Sequence, residues 1–121
     1  MKKIIFIATL LLMAVAFNSC EEDKFGFDNK VIFSARGGEE NVDGDYNIYT
    51  LSIGDYNGKE MHATDDEIMS VTFDWLTATA RKHSNEIVLT AQPNNTGKRR
   101  KLYLYGAVNN RSIDITVIQN K

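Results

Sequence analysis

From Val31 onward the chain alternates apolar and polar residues with a period of two, and no window carries an apolar stripe at helical spacing. Tyr49, Leu51 and Ile53 fall on one face, with Thr50 and Ser52 on the other. Met69, Val71 and Phe73 alternate with Ser70, Thr72 and Asp74, and Ile87, Leu89 and Ala91 with Val88, Thr90 and Gln92. Leu102 and Leu104 oppose Tyr103 and Tyr105; Ile113, Ile115 and Val117 oppose Ser112, Asp114 and Thr116. Val31-Ile32-Phe33 and the run from Trp75 to Ala80 complete the set of extended segments. Turn chemistry separates them: Gly37-Gly38, Asp43-Gly44-Asp45, Gly54 to Gly58, Arg81 to Glu86, Pro93 to Gly97 with the only proline, and Gly106 to Arg111. Glu39 to Asp45 has one apolar residue, Val42, before its turn, and Lys59 to Glu67 is polar and reads as a long loop. Six or seven short strands, each burying one face, predict an all-β sandwich, with a barrel as the alternative.

The first twenty residues follow another logic. Met1, Lys2 and Lys3 begin with positive charge, and Ile4 to Phe17 are apolar apart from Thr9. Asn18, Ser19 and Cys20, the only cysteine, come next. This is the layout of a secretory signal peptide, and its apolar run is too short for the ~20 residues of a membrane span. Ala16-Phe17-Asn18-Ser19-Cys20 resembles the bacterial lipobox, with Phe17 in place of the usual leucine, as in the looser lipoboxes of Bacteroidetes. That resemblance implies cleavage before Cys20 and acylation of its thiol, the only nucleophile of its kind in the chain. Two or three acyl chains would hold the protein on a membrane, at ~0.8 kcal/mol per buried CH₂. Residues 1–19 are then a lipoprotein signal peptide, 20–29 an acidic tether and 30–121 the β-sandwich domain. Glu21-Glu22-Asp23 resembles the signal that exports such lipoproteins to the cell-surface face of the outer membrane; a solvated tether is the alternative, and the leaflet stays open.

Charge and composition narrow the function. The formal net charge is −2, and cleavage removes Lys2 and Lys3, which argues against nucleic acid as a partner. With Cys20 committed to lipid, no disulfide can form, so packing alone must hold a small domain together. Signatures of catalysis are absent: there is no Gly-x-Ser-x-Gly elbow, His-Glu-x-x-His or Cys-His pair, and His62 and His83 fall in polar loops. No cofactor is implied. Asp65-Asp66 reads as a solvated pair. Asp43-Gly44-Asp45-Tyr46-Asn47 opens like a calcium loop but has Ile48 and Gly54 where glycine and glutamate belong. The run Lys98 to Lys101 is suited to anionic glycans, unless Arg100 packs on the sheet. Tyr103 and Tyr105 share a strand face and predict a flat platform on which sugar C–H faces could stack, unless a neighbouring strand covers them. Tyr46, Tyr49 and Tyr56 join it only if the middle strands lie alongside.

Gly37-Gly38, Trp75-Leu76, Asn94-Asn95-Thr96-Gly97, Arg100 with Leu102 and Leu104, and the closing Ile115-Thr116-Val117-Ile118-Gln119 resemble, in order and spacing, the BACON domain of Bacteroidetes surface and periplasmic proteins. The resemblance covers most of residues 30–121 and is closest from Trp75 onward. It implies an immunoglobulin-like antiparallel sandwich of about seven strands. It also implies carbohydrate or mucin-glycan binding, or service as a spacer. The expectation is therefore a non-catalytic, lipid-anchored outer-membrane lipoprotein that binds glycans through Tyr103, Tyr105 and Arg100. The alternative is an accessory or scaffold subunit of a larger surface protein.

Overall fold

The computed structural model describes residues 26–108 and 111–121; the signal-like segment, Cys20 and most of the acidic tether lie outside them. Every regular element among the described residues is a strand: β1 (Lys30–Phe33), β2 (Gly38–Asp43), β3 (Thr50–Gly54), β4 (Glu60–His62), β5 (Ile68–Phe73), β6 (Leu76–Arg81), β7 (Glu86–Ala91), β8 (Arg100–Val108) and β9 (Arg111–Gln119). They form a five-stranded sheet, β1-β9-β8-β3-β4, and a four-stranded sheet, β2-β7-β6-β5. All pairings are antiparallel except β1 with β9, which run parallel.

The alternating pattern places the core as expected. Leu51, Ile53, Leu102, Leu104, Ile113, Ile115 and Val117 line the inner face of the larger sheet. Met69, Val71, Leu76, Ala78, Ile87 and Leu89 face them from the smaller one. An all-β sandwich is thus the fold, with nine strands where about seven were expected.

The two additional strands are β2, where the sequence pattern marks no strand, and β4, which it reads as part of a loop. Each is the last strand of its sheet and pairs on one side only. An edge strand need not bury alternate residues. β2 buries only Val42, and β4 buries nothing. Glu39, Glu40 and Asn41 instead present charge and polarity that discourage a further strand from adding there.

Two other boundaries move. Phe27, assigned to the tether, is buried against Gly44: a Cβ on that glycine would fall 2.3 Å from the ring. The folded domain therefore begins before Lys30. The expected turn from Gly106 to Arg111 shrinks, because β8 continues to Val108, which pairs with Arg111. Tyr49, expected to share the buried face of Leu51 and Ile53, is 38% exposed and meets the His83 ring edge-on at 4.9 Å. It precedes β3, at the end of the sandwich, where the turn between β6 and β7 meets it.

One end of the sandwich is closed by a polar latch. The fully buried Gln119 side chain donates from Nε2 to the carbonyls of Ser34 (3.1 Å) and Gln92 (2.7 Å). Its Oε1 accepts from Arg100 Nε at 2.8 Å. The Arg100 guanidinium lies 4.9 Å from the centre of the Trp75 ring and also donates to the Pro93 carbonyl. Beside it, buried Asn94 donates through Nδ2 to the carbonyls of Lys98 and Asn120 and accepts from the Thr96 amide and hydroxyl. Gly37 completes the end: its φ is +79°, and a Cβ there would come within 2.3 Å of the Ala91 carbonyl oxygen.

Gln119→Leu keeps the volume but removes three hydrogen bonds of a fully buried amide: Arg100 Nε loses its acceptor, the Ser34 carbonyl keeps only the Gly37 amide, and the Gln92 carbonyl keeps only a long contact with Arg100. The expected loss is about 2–4 kcal/mol, read as a fall in Tm of roughly 10 °C or more. A variant melting with the native protein would show that the latch is dispensable.

Candidate functional site

The outer face of the five-stranded sheet carries the densest set of chemically useful side chains. Period two sends Leu102 and Leu104 into the core, and so sends Lys101, Tyr103 and Tyr105 outward. Cross-strand register then fixes their neighbours. Tyr105 is flanked by Asp114 on β9 and Ser52 on β3; Tyr103 by Thr116 and Gly54. In the next strand, Ser52 pairs with His62 and Gly54 with Glu60. The two tyrosines lie inside the sheet rather than at its edge, and both are half-buried.

Gly54 matters for shape. A Cβ at that position would approach Tyr105 Cε2 to 3.2 Å and the Lys59 carbonyl to 3.3 Å. The missing side chain lets the ring lean over the strand. Next to it lies a shallow notch of about 160 Å³ lined by Gly54, Asp55, Gly58, Lys59, Glu60 and Tyr105. Pockets that enclose a small molecule run to ~300–1,000 Å³, so this is an open ledge against which part of a larger ligand could rest.

The carboxylates at the ledge are held in place. Ser52, itself buried, donates its hydroxyl to Glu60 Oε2 at 2.8 Å, and His62 Nε2 lies 3.7 Å from Glu60 Oε1. Asp55 Oδ1 accepts from the amides of Asn57 and Lys59, both at 2.9 Å, which fixes the turn between β3 and β4. Burial raises the Tyr105 pKa above its ordinary 10.0, and the charges of Asp114 and Glu60, with Tyr103, push the same way. The ring stays a neutral phenol, able to donate a hydrogen bond, with a carboxylate on either side, of which Glu60 is held by Ser52.

The expected site residues separate. Tyr103 and Tyr105 come together as expected. Arg100 does not join them: it precedes Leu102 by two residues, so it projects from the opposite face of β8, where its Nε and one terminal nitrogen serve the Gln119 latch. Its assignment to ligand is replaced by a place in the fold. Lys98, Arg99 and Lys101 are exposed. Because β3 lies beside β8, Tyr56 (88% exposed) sits on the hairpin bordering the ledge, whereas Tyr46 and Tyr49 precede β3 at the other end of the sandwich. The reading from sequence missed Ser52, Gly54, Glu60 and Asp114; only strand register could have brought them to the tyrosines.

The remaining candidates have structural uses. Gly44 in the calcium-like loop seats Phe27, and the Asp45 carboxyl packs on Gly26. Asp65 pairs with Lys82, and Asp66 accepts from Thr64 at 2.7 Å. Among the described residues, no three His, Cys, Asp or Glu side chains are grouped to hold a metal ion.

No family model matches the chain, and no curated protein matches its sequence. An NMR structure of a protein from Bacteroides thetaiotaomicron matches with a TM-score of 0.54, covering 83% of each chain at 17% identity. At that identity the likeness is one of fold.

Because the folded state holds the Tyr105 proton more tightly than the unfolded chain, its contribution to stability is complete below the unfolded value near 10 and is lost as pH rises through the folded value. Ultraviolet difference titration should show one tyrosine ionising later than the rest. Tyr105→Phe should remove that late step; its persistence would assign the perturbed phenol elsewhere.

Proposed function

We propose that the chain is a lipoprotein of the bacterial envelope, anchored through acylated Cys20, whose sandwich binds carbohydrate on the outer face of the five-stranded sheet. One observation carries this reading: Tyr105 leaning over Gly54, with Glu60 pinned by Ser52 on one side and Asp114 on the other. A sugar ring offers an apolar C–H face and directional hydroxyls around its rim. An aromatic surface beside fixed acceptors meets both needs. The openness of the ledge suits a segment of a polymer, such as a mucin glycan, better than an enclosed small molecule.

The anchor fits the same picture. Phe27 follows Cys20 by a stretch that spans at most about 25 Å when fully extended. Phe27 docks against the loop between β2 and β3, the end of the sandwich opposite the β3–β4 hairpin. With Cys20 acylated, that end is held near the bilayer and the hairpin points outward.

Accessory-subunit service is the second reading. It is favoured by the open side between β4 and β5, where Met61 is 47% exposed and a depression is lined by Lys59, Met61, Thr72, Phe73 and Asp74. A larger membrane protein would then co-purify with the chain and be lost on Met61→Lys.

Cells fed a labelled fatty acid should incorporate it into the native chain and not into Cys20→Ala, which should leave the membrane fraction. Tyr103→Ala with Tyr105→Ala should weaken binding to mucin glycans at least tenfold, about 1.4 kcal/mol, while the fold persists by circular dichroism. Absence of binding across a broad glycan array would reject the carbohydrate reading.

A further inference from the structure

The charge around Tyr105 bears on which sugars the ledge accepts, and this step rests on the carbohydrate reading above. Asp114 is the direct cross-strand neighbour of Tyr105 in β9. On the β3 side, Ser52 holds Glu60 at the notch, and Asp55 forms part of its wall. Carboxylates therefore stand on both flanks of the ring. The cations nearby are placed differently. Arg100 leaves β8 on the opposite face. Lys101 and Lys30 stand on the tyrosine face opposite Ile118 and Thr116, so neither is a direct cross-strand neighbour of Tyr105. Lys59 lines the notch, yet the part of it that approaches Gly54 is its backbone carbonyl, another acceptor. His62 stands beside Glu60, where a proton on it would offset one carboxylate. The opposition of Asp114 and Glu60 to ionisation of Tyr105 agrees with a negative local field.

We infer that the ledge selects by charge: it takes neutral sugars and sugars bearing a free amine, and it turns away sulfated, sialylated and uronic residues. Glu60 and Asp114 are its specificity-determining residues. They accept hydrogen bonds from hydroxyl, amide or ammonium groups, and an anionic substituent placed there meets two like charges. The basic run Lys98 to Lys101 therefore does not define the ligand, although its composition favours the opposite choice.

The test uses the full chain and three forms of one β-linked glucosamine oligomer: N-acetylated, free-amine and sulfated. Binding is measured at low and moderate salt. The free-amine and N-acetylated forms should bind, and the sulfated form at least tenfold more weakly, with the gap narrowing as salt screens the carboxylates. Glu60→Gln with Asp114→Asn should erase most of the gap; Gln still accepts from Ser52, and a matching Tm verifies the fold. Tyr105→Ala should weaken the neutral and free-amine forms together, which separates the ledge from non-specific attraction to an acidic protein. Equal binding of all three forms, or an unchanged ranking in the double carboxylate variant, overturns the charge selection and leaves the carbohydrate reading standing. Binding of none of them, here or in the broad array, removes both.

Discussion

A single buried amide ties this fold together. Gln119 ends β9, and through its side chain it reaches the exits of β1 and β7 and the start of β8. Those segments belong to both sheets, so one side chain closes the sandwich at that end. Each of the three offers a backbone or guanidinium group outside the strand ladders, and the one amide joins them. A domain of this size with no disulfide among its described residues depends on such closure, because a modest core alone leaves little margin. Trp75 adds the apolar lid: its indole is buried in the core on one side and faces the Arg100 guanidinium on the other.

The ledge is a consequence of the same strand. β8 sends Arg100, Leu102 and Leu104 toward the latch and core, and it sends Lys101, Tyr103 and Tyr105 to the outside. Core and latch residues thus alternate with the tyrosine face along one central strand. Its position between β9 and β3 half-buries the tyrosines and limits their freedom, so less entropy is lost when something rests on them. Gly54 gives up a side chain in the middle of a sheet, a local cost, and in return the Tyr105 ring leans over the backbone. Ser52, buried and bonded to Glu60, holds the neighbouring carboxylate in register with the ring.

The sandwich is also polarised end to end. Loops holding Phe27, Tyr49 and the Asp65–Lys82 pair lie at one end; the Gln119 latch and the β3–β4 hairpin lie at the other. Phe27 extends the folded unit toward the N-terminus, so the segment that connects it to Cys20 is short.

Local pattern was enough to read the class of fold and the inner strands. A central strand buries every second residue, so β3, β5, β7, β8 and β9 announce themselves in Leu51/Ile53, Met69/Val71, Ile87/Leu89, Leu102/Leu104 and Ile113/Ile115. The same alternation already placed Tyr103 and Tyr105 together on the far face. β2 and β4 left no such mark, because an edge strand of Glu39-Glu40-Asn41 or Glu60-Met61-His62 is stabilised by backbone pairing, which any side chain permits. Local pattern alone was sufficient for the strand period, most turns and the core faces of the inner strands. That Asp114, Ser52, Gly54 and Glu60 surround Tyr105, and that Arg100 belongs to Gln119 instead, came from the packing of distant strands. Which strands become neighbours, and in what register, depends on contacts between residues far apart in the chain, and a local pattern carries no record of them.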